Sequence, residues 1–163
     1  MLINDDTKLD YSDVLIRPKR STLTSRFDVD LFRKYTFKHS RKTWKGTPIM
    51  ASNMDTVGTF SMADALTQHH MITCIAKHHN ANGSWPTENR HNKHHLCVMG
   101  GISEEDINNT QEIYKSNEAF FIGLDVANGY TISFVDAVKK MRDLEPNSTI
   151  IAGNVVTADM TQE

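Results

Sequence analysis

Charged side chains lie at the ends of two apolar runs in this sequence, where each has an obvious chemical use. Lys77 directly follows the run 71–76, and Asp125 lies near the end of the run 119–126. A lysine there can stabilise negative charge or move a proton, and a carboxylate can accept both hydroxyls of a ribose. A solvated lysine stays open as the alternative for Lys77, because most lysines are simply solvated. Capping of a helix that starts near Tyr130 is a poor alternative for Asp125, because five residues separate the two.

Histidines and cysteines are concentrated in one stretch of the chain. Seven of the eight histidines lie between His69 and His95, with Cys74 and Cys97 nearby. Because these residue types are zinc ligands, a metal site has to be considered. No Cys-x-x-Cys pair and no spaced histidine pair with a matching partner occurs, so we predict His-rich surface loops and no metal. The two cysteines lie in apolar runs, which favours buried thiols in a reducing compartment over a disulfide.

Five short apolar runs predict the strands that position these side chains. The runs are 47–52, 71–76, 95–100, 119–126 and 148–154. Their hydrophobicity is continuous rather than alternating, which is typical of strands buried on both faces of a parallel sheet. Their spacing of roughly 24 to 30 residues leaves room for one helix in each crossover.

The segments between the runs predict the helices. An apolar stripe favours a helix over 60–68, and Ser103 is a predicted N-cap followed by three acidic residues in the first turn. Helical spacing also links the residues Phe134, Val135, Val138, Met141 and Arg142. Thr157 is a predicted N-cap of a last, short helix. The polar segment 80–93 contains glycine and proline and gives little helical signal.

The alternation of strands and helices predicts the α/β class, either as a barrel or as a doubly wound open sheet. Residues 1–46 lie outside the repeat and are basic between Arg17 and Arg26. We predict that they form an extended arm or hairpin packing on a domain of residues 47–163. Five parallel strands followed by a helix stub leave a sheet edge exposed, so we interpret the chain as interrupted.

The composition excludes several classes of protein. The chain has 163 residues, of which 39% are hydrophobic and 23% charged, enough for one domain with a core. A net charge of −2 supplies no drive toward nucleic acid or a membrane surface. No run of 18 apolar residues predicts a membrane span. The acidic N-terminus lacks the apolar core of a secretory signal, so we expect a cytoplasmic protein.

Four strings of residues, in register along nearly the whole chain, resemble the GMP reductases and their relatives, the IMP dehydrogenases. They are LDYSDVLIRPKRS at 9–21, NMDTVGTF at 53–60, LDVANGY at 124–130 and AGNVVT at 152–157. Asn53 and the string at 126–130 are more similar to the reductases than to the dehydrogenases. The family is therefore indicated by several independent motifs.

This resemblance implies the N-terminal portion, about five βα units, of a (β/α)8 TIM barrel preceded by an extended N-terminal arm. It also implies an enzyme in which NADPH reduces GMP to IMP with loss of ammonia. In the family, the attacking cysteine, the phosphate site and the potassium-binding carbonyls lie downstream of the matched residues. We therefore expect the chain to be inactive alone. The expected partners are GMP or IMP, and either further copies in a tetramer or a complementary C-terminal half.

The resemblance assigns roles to individual side chains. It assigns a catalytic position to Lys77. It assigns three cofactor-binding positions to Asp125, Val126 and Ala127. Ser25 and Arg26 correspond to a stretch that reaches the adenosine end of the cofactor in a neighbouring subunit, where an arginine suits a phosphate group. An ordinary surface arginine is the alternative for Arg26.

Substrate contacts follow from the same resemblance. Ser52 and Met54 are expected to face the base and the ribose, and Asn154 to orient the nucleotide or the catalytic loop. The alternative interpretation takes Met54 as core filler and Asp55 as a helix N-cap.

Two segments depart from the family. AKHH at 76–79 replaces a pattern closer to His-Lys-His-Tyr, and MGGI at 99–102 replaces small hydroxyl residues that help to hold the cofactor. The two glycines could still donate backbone amides to a phosphate. The departures also allow a diverged enzyme with weakened cofactor binding.

Two other functions stay open. The exposed edges of a half-barrel favour a non-catalytic remnant that binds a complementary half or a full-length reductase. The motif cores shared with the dehydrogenases allow an IMP dehydrogenase fragment.

Overall fold

The computed structural model describes residues 7, 9–79, 85 and 93–163, so most of the segment 80–93 lies outside the described residues. The chain divides into two compact units between Asp30 and Leu31. In the first unit, two short 3-10 helices span Tyr11–Asp13 and Arg26–Asp28, each begun by a capping box. The predicted boundary at residue 46 stays a prediction.

The second unit contains a two-stranded hairpin and a five-stranded parallel sheet. The strands are β1 (Arg33–Thr36) and β2 (Thr43–Gly46) in the hairpin, then β3 (Met50–Ala51), β4 (Ile72–Ile75), β5 (Leu96–Gly100), β6 (Phe121–Asp125) and β7 (Thr149–Gly153). The helices are α1 (Phe60–Thr67), α2 (Glu104–Asn117), α3 (Ile132–Leu144) and α4 (Ala158–Gln162). The predicted alternation of strands and helices is confirmed.

Strand order distinguishes the two α/β architectures that the repeat left open. The parallel strands are neighbours in space in the order in which they occur along the chain, from β3 to β7. A doubly wound sheet reverses its strand order at a switch point, whereas a (β/α)8 barrel adds each strand beside the last. The sheet is therefore part of a barrel wall, curled into a half-barrel.

The sheet has a core on each face. The side covered by helices packs Ile75, Val98, Ile122 and Leu124 against residues of α2 and α3 that include Ile107, Ile113, Phe134 and Met141. The opposite side packs Trp44, Ile72, Cys74, Cys97, Met99 and Phe121 into a second cluster. Every residue of β4 and β5 is buried, as continuous hydrophobic runs predict.

The hairpin covers the second cluster. The Trp44 indole N–H donates to Nδ1 of buried His95 over 3.2 Å, and the Phe37 ring lies edge-on to Phe121 at a centroid distance of 5.6 Å. The hydroxyls of Ser40 and Thr149 lie 2.7 Å apart. These contacts tie the hairpin to the sheet from β5 to β7.

The first and last parallel strands differ from the predicted buried runs. β3 is only two residues long, because two N–H groups before it donate outside the sheet. The Thr47 N–H donates to the carbonyl of His70, and the Ile49 N–H donates to the carbonyl of Thr47. β7 has its full length, but Ile151 and Ala152 are exposed. Each of these strands is paired on one side only within the described sheet, so less of its surface is covered.

The helices begin where the sequence places their caps. The hydroxyl of Ser103 accepts the Asp106 N–H at 3.1 Å and completes a capping box, and Thr157 accepts the Met160 N–H at 3.4 Å. A Cβ atom on Gly100 would overlap the Thr110 side chain, and one on Gly101 would overlap Asp106. The close approach of α2 to β5 therefore explains both glycines without a phosphate.

Candidate functional site

One hydrogen bond crosses the mouth of the half-barrel, which is the end at which the carboxyl ends of β3 to β7 lie. The Asn53 side-chain amide, two residues after β3, donates through Nδ2 to Oδ2 of Asp125 at the end of β6, over 2.9 Å. Two strands lie between β3 and β6. In a flat sheet, three interstrand spacings would separate these positions by roughly 14 Å. The curl of the sheet, together with the reach of the two side chains, brings them into contact.

Asp125 occupies a half-buried position beside the thiol pair of β4 and β5. Cys74 and Cys97 are directly paired in register, and both are free and buried. The hydrogen bond from Cys97 lowers the pKa of the Cys74 thiol, against burial and the negative charge of Asp125, which both raise it. The same hydrogen bond and complete burial raise the pKa of Cys97 well above its usual value. The negative charge of Asp125 therefore disfavours the thiolate form of Cys74 in β4.

The loops that follow β6 and β7 are joined through their backbones. The Val126 N–H donates to the Gly153 carbonyl at 2.9 Å, and the Asn154 N–H donates to the Val126 carbonyl at 2.8 Å. The Gly129 N–H then donates to the Asn154 carbonyl at 3.0 Å. A Cβ atom on Gly129 would lie 2.6 Å from that oxygen. Glycine is required here by close backbone approach, and the joined loops form a fixed rim beside Asp125.

Tyr130 stabilises the same rim through hydrogen bonds. Its hydroxyl accepts the backbone N–H groups of Val156 at 2.8 Å and Thr157 at 2.9 Å, and it lies 3.1 Å from the Thr157 hydroxyl. The hydrogen bond with the Thr157 hydroxyl and the two backbone donors lower the pKa of the Tyr130 phenol, which is exposed. The segment between β7 and α4 is thereby tied to the loop after β6.

Lys77 lies in a separate surface cavity of about 750 Å³. The cavity is lined by Lys77, His78 and the first half of α2, including Glu104, Glu105, Asp106 and Glu112. His78 contacts Asp55 through Nε2 and Oδ1 at 2.7 Å. Asp55 does not cap α1, because Thr59 is the N-cap of that helix. Four carboxylate side chains of α2 thus line the cavity that contains Lys77.

A second cavity, of about 530 Å³, lies on the helix-facing side of β7. Its apolar lining comes from α3, β7 and α4 and includes Val135, Val138, Ile150, Ala152 and Met160. It lies within the helix layer, whereas the chemistry of barrel enzymes is placed at the carboxyl ends of the strands. We therefore place the candidate site at the mouth, around Asn53 and Asp125.

Comparison with known proteins identifies the family. Residues 8–163 match the family model described as the IMP dehydrogenase / GMP reductase domain. The chain belongs to this IMP dehydrogenase/GMP reductase family.

Curated relatives that this family member resembles include proteins named GMP reductase. The chain is 49% identical over 167 residues to the protein of Enterobacter sp. (strain 638) and 50% identical over 168 residues to that of Klebsiella pneumoniae subsp. pneumoniae. Each alignment covers 100% of this chain and 48% of the relative. The chain thus spans about half the length of the curated relatives that it matches.

A solved structure supports the barrel fold of this family. The inosine 5′ monophosphate dehydrogenase from Legionella pneumophila matches with a TM-score of 0.67 at 22% identity, covering 90% of this chain and 44% of that one. At this identity the likeness concerns the fold alone. It confirms the prediction that the five βα units are the N-terminal portion of a TIM barrel.

The structure brings together only some of the side chains that the family resemblance assigns. Val126 and Asn154 meet through their backbones beside Asp125. Ser52 and Met54 follow β3 into the mouth, and Met54 is 63% exposed, which removes the alternative of core filler. Ala127 is exposed on the loop after β6. Their roles in binding stay predictions.

Ser25 and Arg26 lie in the first unit. The Ser25 hydroxyl accepts the Phe27 N–H at 3.2 Å, and the Asp28 carboxylate accepts the Ser25 N–H at 3.1 Å. Ser25 is thus the N-cap of the 3-10 helix, and Arg26 is exposed. Their assignment to the cofactor stays a prediction.

Neither a metal-binding cluster nor a membrane-spanning helix occurs among the described residues. Within residues 7, 9–79, 85 and 93–163, no group of three or more His, Cys, Asp or Glu side chains is arranged to hold a metal ion. No helix in this part of the chain is long and apolar enough to cross a membrane.

Sequence reasoning missed the partner of Asp125 and the role of Tyr130. In the sequence, Asn53 is a feature that resembles the reductases, and Tyr130 is the last residue of the string at 124–130. A signal for Asn53 existed, because it follows a predicted strand as Asp125 ends another, and such ends meet at one mouth. The contact of Tyr130 with the loop after β7 has no comparable signal in the sequence.

Proposed function

We propose that this chain forms the part of a GMP reductase active site that binds the nicotinamide ribose of NADPH and the base of GMP. The observation that carries the proposal is the Asp125 carboxylate at the end of β6, held by Asn53 at the mouth of the half-barrel. Sequence identity near one half to proteins named GMP reductase supports the reaction. The reaction is the NADPH-dependent reduction of GMP to IMP with release of ammonia.

The residues at the mouth fit the cofactor chemically. A carboxylate accepts hydrogen bonds only, and Asn53 occupies one of its oxygens, so the other is available to the hydroxyls of a ribose. The fixed rim formed by Val126, Gly129 and Asn154 bounds this position on the side of β7. When bound, NADPH supplies the hydride, and the chain orients it.

The base-binding side of the proposal rests on the residues after β3. Ser52 and Met54 are exposed next to Asn53, where a purine and its ribose can lie against them. Lys77 follows β4, the strand beside β3. The resemblance assigns Lys77 a catalytic position, and in the proposal that role requires its side chain to turn from the cavity beside α2 toward the mouth.

In this proposal, residues 1–163 alone do not turn over GMP. The covalent step of the family needs a nucleophilic cysteine, and the two cysteines here are buried in the sheet. A complementary half would find two surfaces to cover. These are the edge of β7 that is unpaired within the described sheet, with Ile151 and Ala152 exposed, and the partly apolar cavity between α3 and α4.

The test is NADPH oxidation with GMP, measured for the chain alone and for the chain mixed with the C-terminal half of the Klebsiella pneumoniae relative. We expect oxidation in the mixture only, and its loss in Asp125→Ala. Thr56→Ala, an exposed residue on the same loop as Asn53, is the matched control and should retain activity. Turnover by the chain alone, abolished by Lys77→Ala, would contradict the proposed inactivity.

A second candidate function is a non-catalytic half-barrel that binds a partner chain. The exposed β7 edge favours it, since unpaired strand edges recruit other chains. The same experiment separates the two candidates. Association of the two halves without NADPH oxidation, from folded material, would favour the binding function over the enzyme.

A further inference from the structure

We propose that Asn53 is a positioning residue that orients the Asp125 carboxylate and thereby sets the recognition of a ribose diol. The inference rests on the proposed function and adds a residue to which nothing in the family resemblance assigned a role in binding. It starts from the 2.9 Å hydrogen bond between Nδ2 of Asn53 and Oδ2 of Asp125.

The chemistry of the pair determines which way the Asn53 amide faces. The ionised carboxylate of Asp125 can only accept hydrogen bonds, so the nitrogen and not the oxygen of the amide must point toward it. A hydrogen bond to a charged group is among the stronger ones in proteins. Asn53 therefore holds the carboxylate in one rotation about its χ2 bond, a torsion that is otherwise soft.

The loop that carries Asn53 is itself held firmly. The Met54 carbonyl accepts the N–H groups of Val57 at 2.9 Å and Gly58 at 2.7 Å, which closes a tight turn. A Cβ atom on Gly58 would lie 3.0 Å from the Cα atom of Asn53. The amide is thus presented from a compact turn rather than from a freely moving loop, as a positioning group requires.

The consequence for recognition follows from the remaining lone pairs. One oxygen of Asp125 is engaged, and the other faces no hydrogen-bond donor among the described contacts. A carboxylate fixed in this way offers its second oxygen in a constant direction, which favours two adjacent hydroxyls over one. A rotating carboxylate would still attract a single hydroxyl but would discriminate less between a diol and a deoxy sugar.

The competing interpretation is that the pair only fastens β3 to β6. Both side chains are half-buried, so the hydrogen bond also contributes to closing the mouth. A fastening role would lower stability and affect all ligands alike. A positioning role changes the discrimination between ribose and deoxyribose. A change in stability alone leaves that discrimination unchanged.

The experiment measures cofactor binding by the chain assembled with the C-terminal half of the Klebsiella pneumoniae relative. The ligands are NADPH and an NADPH analogue that lacks one hydroxyl of the nicotinamide ribose. The variants are Asn53→Ala, Asn53→Asp and the control Thr56→Ala, each also examined by urea unfolding. For Asn53→Ala we expect NADPH binding to weaken about tenfold, the order of one hydrogen bond to a charged group.

The ratio of the affinity for NADPH to the affinity for the analogue tests the inference. In the wild type NADPH should bind better than the analogue, and in Asn53→Ala the ratio should fall toward one while the KM for GMP changes by less than about twofold. Asn53→Asp should bind NADPH more weakly still, because it places a like charge against Asp125. Thr56→Ala should behave as the wild type.

Two results would overturn the inference, and they differ in what else they overturn. An unchanged ratio in Asn53→Ala, with NADPH bound and GMP turned over by the wild type, rejects the positioning role and leaves the proposed function intact. Failure of the wild-type assembly to bind NADPH at all rejects the proposed function and the inference together.

Discussion

β5 and β7 belong to the same parallel sheet but lie in different surroundings. All five residues of β5 are buried, between helix α2 on one face and the hairpin with Trp44 on the other. In β7 the first residue is buried, yet Ile151 and Ala152 are exposed, although both are apolar residues in the middle of the strand. The difference shows that burial of a strand is decided by its neighbours and not by its own composition.

The largest effect should come from shortening a side chain in the middle of the sheet. Ile122 of β6 is 0% exposed and packs in the cluster beneath α2 and α3. We expect Ile122→Ala to lower the free energy of unfolding by about 2–5 kcal/mol, since it removes buried methyl groups and leaves a cavity. Urea unfolding with linear extrapolation measures this free energy. A loss smaller than that of Ile151→Ala in β7 would refute the comparison.

The cover over β5 should make stability depend on pH. Burial, together with the nearby His70 and His94, lowers the pKa of His95, which accepts the Trp44 N–H at Nδ1. The native state therefore resists a proton that the unfolded chain binds below about pH 6.5. Stability should be full above that pH and should fall as the pH drops through the window between the unfolded pKa and the lowered native pKa.

The His95 contribution can be isolated by substitution. His95→Gln cannot titrate and should flatten the loss of stability between pH 7.5 and pH 5.5, the range that begins above the ordinary histidine pKa of about 6.5. Urea unfolding at several pH values measures the slope. An identical slope in the wild type and in His95→Gln would show that this histidine is not protected by the hairpin.

The smallest effect is expected at the exposed strand. Ile151 is 36% exposed, so Ile151→Ala removes apolar contacts without enclosing a cavity. We expect it to cost no more than about 1.5 kcal/mol in the free energy of unfolding. The same measurement on the chain assembled with a C-terminal half sharpens the comparison, because the cost should rise there if the partner covers β7. An equal cost in both states would argue against such cover.

The elements were predicted well from local patterns, and the details at their ends were not. Ser103 and Thr157 cap their helices as expected, because a cap depends on residues within one turn. The run 47–52 is apolar enough for a full strand, yet the strand spans only Met50–Ala51, since the N–H groups of Thr47 and Ile49 donate outside the sheet. Competition for backbone partners is set by residues distant in sequence and leaves no local trace.

The sequence by itself determined the class of the fold, the family and the approximate positions of the strands, because hydrophobic runs, caps and motifs are local properties. The repeat alone left an open sheet and a barrel wall undistinguished until the strand order was known, and only the tertiary structure paired Asn53 with Asp125, 72 residues away. It also separated Lys77, in its own cavity beside α2, from that pair. The physical reason is that curl and side-chain contact depend on how successive strands pack together, which no segment of the chain specifies alone.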